Sequence, residues 1–189
     1  SPRAVFSRED VIQAAMDIVE TEGLHALTAR SVANRLRSST APVYKHFKSI
    51  EDLKNEISSR AKQTLGEFTT KEYTNCDVLN ILMGIVLFAR DRRELFRTLF
   101  LENDEFQDVA NESFQSIRGL LKRNESFSNA GEEELELLIS KIWAFTHGFA
   151  RQAYIGFMVN SSDHYIKSTL YDCCSALVES MFDYRPGSN

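Results

Sequence analysis

Between residues 28 and 48 the chain carries five cations, Arg30, Arg35, Arg37, Lys45 and Lys48, and no Asp or Glu. Tyr44 and His46 sit among them. Guanidinium, ammonium, phenol and imidazole groups at this density are donors for phosphate oxygens, so the chemistry on offer is recognition of a polyanion. Bond-making chemistry finds less to work with. The four histidines, His25, His46, His147 and His164, show no His-x-x-x-His spacing, and Cys76, Cys173 and Cys174 form no Cys-x-x-Cys pair. No metal site and no cofactor are expected. No nucleophile, base and acid stand together, so an enzyme is not expected. An odd cysteine count without a framework points to a reducing compartment.

Two short helices must position the cationic group. The first follows a Thr28 cap and places Val32, Ala33 and Leu36 on one face. The second starts after Ser39, which can cap it, and sets Val43 and Phe47 four residues apart. Only Arg37 and Ser38 remain for the turn, the form of a helix-turn-helix. Pro42 falls in the first turn of the second helix, where no intrahelical N–H is lost. A preceding helix over 7–22, with a Ser7/Asp10 capping pair, Gly23 as its stop and Leu24 and Leu27 as core plugs, completes a three-helix unit. Ser49 and Asp52 cap a fourth helix expected over 50–68.

Thr28-Ala29-Arg30, Val32-Ala33, Leu36, Ser39 and Val43-Tyr44-Lys45-His46-Phe47, followed by Lys48-Ser49 and Ile50-Glu51-Asp52-Leu53, resemble the DNA-binding signature of the TetR/AcrR family of bacterial repressors. The likeness spans residues 7–65. It implies that Tyr44, His46 and Lys48 hold phosphates, that Thr40, Ala41, Pro42 and Lys45 face the major groove, and that Arg30 reaches DNA from the preceding helix. The two caps, Thr28 and Ser39, join that interface. One departure stands out: the turn, usually Gly in the family, holds Arg37. A left-handed Arg37 or a reshaped turn is therefore expected, at roughly 1 kcal/mol.

The remainder reads as helical throughout, about nine helices in an all-α chain. Residues 1–62 hold 10 Lys and Arg against 8 Asp and Glu; residues 63–189 hold 12 against 19, and the whole chain carries −5. A basic end on an acidic body suits a protein that touches DNA with one part only. The expected division is a DNA-binding domain over 1–49, running into helix four to about residue 55, and a helical effector-binding and dimerisation domain over 56–189. Helices are expected over 77–90, 94–101, 105–122, 132–157 and 164–182, with a loose tail from Pro186. No apolar run is long enough to span a membrane, and Ser1-Pro2-Arg3-Ala4 shows no signal-peptide pattern.

The second part is rich in aromatic side chains. Trp143-Ala144-Phe145-Thr146-His147-Gly148 is similar to a Trp-x-x-x-His-Gly pattern in one class of TetR-family C-terminal domains. The resemblance implies a hydrophobic effector cavity here. Phe88, Phe96, Phe100, Phe114, Trp143, His147 and Tyr154 are its candidate walls, with ordinary core packing as the competing reading. It also implies a homodimer through the last two helices, where Gly148 and Gly156 would allow close approach. The combined expectation is a cytoplasmic, bacterial, nucleoid-associated transcriptional regulator. It binds double-stranded DNA at a palindromic operator and is released by an unknown small-molecule effector. The alternative keeps the fold and the DNA but has no small effector, being architectural or partner-controlled.

Overall fold

The structure, a computed structural model, describes residues 5–102 and 106–182; the tail expected from Pro186 lies outside them. Nine α-helices and two 3-10 turns are present among the described residues, and no strand. The helices are α1 Arg8–Glu22, α2 Ala29–Arg35, α3 Ala41–His46, α4 Ile50–Thr69, α5 Asp77–Asp91, α6 Arg93–Phe100, α7 Phe106–Arg123, α8 Glu132–Ile155 and α9 Asp163–Phe182. Two compact units contain them. One takes the chain up to Thr64 and the segment from Arg92 that holds α6; the other takes Leu65–Asp91 and the chain from α7 onward. The functional boundary expected near residue 55 lies inside α4.

In the first unit the sequence signals act as read. The Ser7 hydroxyl accepts from the Asp10 amide at 3.1 Å while the Asp10 carboxylate accepts from the Ser7 amide at 2.7 Å. That exchange satisfies two orphan donors of α1. Gly23 ends α1 at φ 87°, open to glycine and strained for other residues. Val11, Ile18, Leu27, Val32, Val43 and Leu53 are all buried in one core. Polar bonds tie α1 to α4: Arg8 to Glu56 at 2.7 Å, and Arg60 to Glu9 at 2.9 Å. Arg8 also lies 4.9 Å above the Phe47 ring, so the residue after α3 is held between core and cation. α6 packs on α1, with Arg92 and Glu20 paired at 3.6 Å.

In the second unit α5 is the centre, touched by α7, α8 and α9. Its apolar sequence predicts burial on most sides, and Leu79 together with the run from Leu82 to Ala89 is buried. One polar residue goes in with them. Asn80 accepts from the Tyr73 and Thr74 amides at 3.1 and 2.7 Å and donates to the Thr74 carbonyl at 3.0 Å. Its side-chain oxygen is fully used, the Thr74 hydroxyl also donating to it at 3.0 Å, and the loop entering α5 is fixed by it. Gly84 admits the last turn of α4: a Cβ there would lie 2.5 Å from the Phe68 carbonyl oxygen. At the other end of α5, Arg90 bonds Asp91, the Ser161 carbonyl and Asp163, pinning the link between α8 and α9.

The acidic first turn of α8 is partly neutralised from α7, because Arg118 and Lys122 both bond Glu132. α8 ends at Ile155, two residues before the expected limit. Gly156, left-handed at φ 74°, caps it. Gly156 is therefore a helix stop, a role the sequence reading had not given it. Gly148 stays helical with nothing within 4 Å of a notional Cβ.

Candidate nucleic-acid interface

The turn between α2 and α3 is built by backbone bonds around Arg37. The Arg37 amide donates to the Asn34 carbonyl at 3.1 Å and the Ser38 amide to the Ala33 carbonyl at 2.9 Å. This pair of bonds is a Schellman closure and demands a left-handed residue between them. Arg37 supplies it at φ 51°, the one non-glycine with positive φ among the described residues. The turn keeps its shape without glycine and carries the strain expected from the sequence.

That closure delivers α3 with its first turn outward. Ala41, Tyr44, Lys45 and Lys48 are exposed, Thr40 and Pro42 half-buried, and Val43 and Phe47 buried. Tyr44 exposes 56% of its surface although it is aromatic, so packing does not explain it. Arg30 is exposed on α2. Arg37, Ala41, Pro42 and Lys45 line a hollow of about 650 Å³ with Val5, Phe6, Ser38 and Ser39. Arg37 thus shares that hollow with Lys45; the sequence reading counted it among the cations of the window and as the turn residue, but not among the expected DNA contacts. Its place in the acid-free window was the available signal.

The five cations divide. Arg35 pairs with Glu22 at 3.4 Å and with Asp17 at 3.9 Å. Arg30, Arg37, Lys45 and Lys48 have no ion pair among the described residues. Four uncompensated charges in one unit raise the local positive potential toward any phosphate chain.

Three expected contacts also have intramolecular roles. Thr28 caps α2, accepting from the Ser31 amide at 3.0 Å. His46 Nε2 donates to the Phe6 carbonyl at 2.9 Å and fastens the segment before α1 to the end of α3. A carbonyl only accepts, so Nε2 must carry the proton. Ser39 does not cap α3 as expected. The cap position is Thr40, which makes no side-chain cap bond; one residue ahead of it, the Ser39 hydroxyl accepts from the Ala41 amide of the first turn at 3.4 Å. Its two-residue lead over the helix is one residue too long for a cap.

The residues expected to wall an effector cavity fall in both compact units. Phe96 and Phe100 stack at 4.7 Å on α6, in the first. In the second, Phe88 meets Phe68 edge-on at 5.6 Å, and Trp143 meets Phe114 at 5.8 Å and His147 at 6.3 Å. Tyr154 is half-buried near the end of α8. Burial, and then the nearby Arg151, hold the His147 imidazolium below its ordinary pKa. Beside it the Thr146 hydroxyl is fully buried with no hydrogen-bond partner among the described residues. A cavity of about 390 Å³ does exist in the second unit, among α5, α7, α8 and α9. Leu79, Leu82, Leu138 and Ile142 form its apolar wall, and none of the seven expected residues lines it.

Comparison with known proteins follows these features. The profile described as "Bacterial regulatory proteins, tetR family" matches residues 11–57, which hold α1, α2, α3 and the start of α4. An HTH-type transcriptional regulator of Bacillus subtilis, YvkB, is 26% identical over 116 residues, 59% of this chain and 61% of that one. The nucleoid occlusion factor SlmA of Photobacterium profundum is 28% identical over 130 residues, 61% of this chain and 65% of its own length. The chain therefore spans less than two thirds of these curated relatives. In structure, SmeT, the repressor of the Stenotrophomonas maltophilia multidrug efflux pump SmeDEF, superposes with a TM-score of 0.67 at 14% identity. The match covers 97% of this chain and 95% of SmeT. A TetR-family member from Streptomyces coelicolor gives 0.60 at 17% identity over 88% and 96% of the two chains. The stretch from Val11 to Ile57 thus matches the tetR family of bacterial regulatory proteins, and nearly the whole length shares the fold of SmeT and of the Streptomyces coelicolor TetR-family member.

Proposed function

We propose that the protein is a homodimeric DNA-binding transcriptional regulator, a repressor released from a palindromic operator by a small effector. The observation that carries the reading is the outward face of α3 with four unpaired cations around it, in a window without a single carboxylate. Lys45 and the first turn of α3 read bases in the major groove. Tyr44, Lys48 and Arg30 hold phosphates, which fixes register and salt dependence without reading sequence. His46 keeps α3 oriented through Phe6, its Nε2–H committed to that carbonyl.

Two copies are needed because operator half-sites lie about 34 Å, or a multiple, apart. α8 offers the means. Leu137, Ala144, Gly148 and Ile155 are exposed along one side of it, with Leu137 at 52% and Ile155 at 54%. Apolar residues of that size at helical spacing favour burial against a second copy. Effector release is a population shift: a ligand preferring a spacing that misfits the operator lowers affinity by its differential binding to the two states. The likeness to SmeT supports the repressor role, and the 390 Å³ cavity supports an effector. The likeness to SlmA favours a second reading, a nucleoid-associated protein of the same fold without a small effector. No helix of the described residues is long and apolar enough to cross a membrane.

The test is selection of bound duplexes from random oligonucleotides, followed by gel-shift titration of the recovered site. Lys48→Ala should weaken binding to every sequence, Lys45→Ala should relax base preference, and Arg35→Ala should change little. Equal affinity for wild type and Lys48→Ala, or no enriched sequence, sinks the reading.

A further inference from the structure

The cavity of the second unit has a charge pattern that selects its ligand. Its inner wall is aliphatic, from Leu79 and Leu82 on α5 and Leu138 and Ile142 on α8. At its edge stand Tyr171 and Glu179, eight residues and so about 12 Å apart along α9. Among the described residues Glu179 is the single charged side chain in the lining. It is exposed and has no ion pair or hydrogen bond among the described residues. Cys174, also in the wall, adds no second negative charge: burial, then the neighbouring Cys173 and Cys76, push its thiol up to about 12. Among the described residues no Lys, Arg or His lines the space.

An aliphatic wall attracts any apolar body, so it sets affinity but not identity. Identity comes from the edge. A ligand anion would meet an uncompensated carboxylate, and a cation would gain a charge-assisted contact. The volume, about 390 Å³, is at the small end of ligand pockets and suits a fragment-sized molecule.

We propose that this cavity binds a small organic monocation, its apolar body against Leu79, Leu82, Leu138 and Ile142 and its charge beside Glu179. As an effector site it rests on the regulator reading given above; as a binding site it stands without it. Because α9 supplies the edge and α5 and α8 the wall, occupancy sets the spacing of α9 from its two neighbours.

Titration calorimetry on the purified full chain, without DNA, tests it with three ligands of one body: 4-phenylbutylamine, 4-phenylbutanol and 4-phenylbutyrate. The amine should bind most tightly and the carboxylate least. Glu179→Gln should weaken the amine by about three- to fivefold and leave the alcohol unchanged. Ser175→Trp, which fills the edge, should abolish binding of all three while Glu179→Gln keeps the wild-type melting temperature. Equal affinities for the three ligands, no response of the amine to Glu179→Gln, or no binding at millimolar ligand overturns the proposal. Amine binding by a protein that selects no DNA would remove the regulator reading and keep this one; DNA selection without amine binding would do the reverse.

Discussion

The Ser38 amide donates to the Ala33 carbonyl across 2.9 Å, and the bond closes because Arg37 between them is left-handed. The turn that aims α3 is thus made by a residue that resists the conformation it must hold. A cation is gained at the edge of the hollow beside α3, and local strain is the cost.

Replacing Arg37 by Gly should separate these two effects. Relief of the left-handed strain is worth about 1–2 kcal/mol. The added freedom of the unfolded chain takes back about 0.4–1 kcal/mol. Urea unfolding should show a net gain between about 0 and 1.6 kcal/mol. Operator affinity should fall, with the slope of log K against log salt smaller by about 0.9, one phosphate contact. A variant both more stable and equally tight would show that Arg37 does not touch DNA.

Gly84→Ala should destabilise the protein even though alanine is the better helix former by about 1 kcal/mol. The new Cβ meets backbone of Phe68 and Thr69, at 2.5 and 2.6 Å, and backbone cannot rotate away. Overpacking of this kind costs about 1–3 kcal/mol. Thermal melting should register the drop; a rise in Tm would mean that α4 does not seat on α5 there.

Asn80→Leu strands the Tyr73 and Thr74 amides, which now share the Asn80 oxygen. About 1–3 kcal/mol is expected for each buried donor left unpaired, discounted here because the loop is half exposed. Amide hydrogen exchange should accelerate at residues 73 and 74 before it does in the body of α5.

Thr146→Val removes a hydroxyl that is 0% exposed and makes no hydrogen bond among the described residues. The volumes match closely, so the burial cost of the hydroxyl, about 1 kcal/mol, should return as stability. A destabilised variant would reveal a partner for that hydroxyl in solution.

Acid should loosen the link between α1 and α4. The hydrogen bond from Arg8 holds the Glu56 carboxyl below its ordinary 4.5, with smaller contributions from Arg60. A lowered folded-state value gives stability that is full above that ordinary value and lost as pH falls through the folded one. Glu56→Gln should therefore flatten the fall in Tm below about pH 4.5. An unchanged acid limb would assign the loss to other carboxylates.

Local chemistry was legible from the chain alone. Caps at Ser7, Thr28 and Ser49, the stop at Gly23, the burial of α5 and the strained turn at Arg37 depend on neighbours within about five residues or on one helical period, and sequence displays both. So was the family signature from Thr28 to Leu53, because a helix-turn-helix is a local object. What pairs across the fold was not. Arg35 and Arg37 look alike in the sequence, and only the packing of α1 brings Glu22 to one and leaves the other free. Gly156 had the composition of a close-approach residue and became a helix stop. The seven aromatic residues offered for a cavity were chosen by type, but a cavity is the space that four helices fail to fill. Its walls at Leu79, Leu82, Leu138 and Ile142 read as ordinary core until α5, α8 and α9 are placed against one another. Sequence determines which surfaces seek burial, since hydrophobicity belongs to the residue; tertiary structure decides where burial stays incomplete, since that depends on shapes meeting at a distance along the chain.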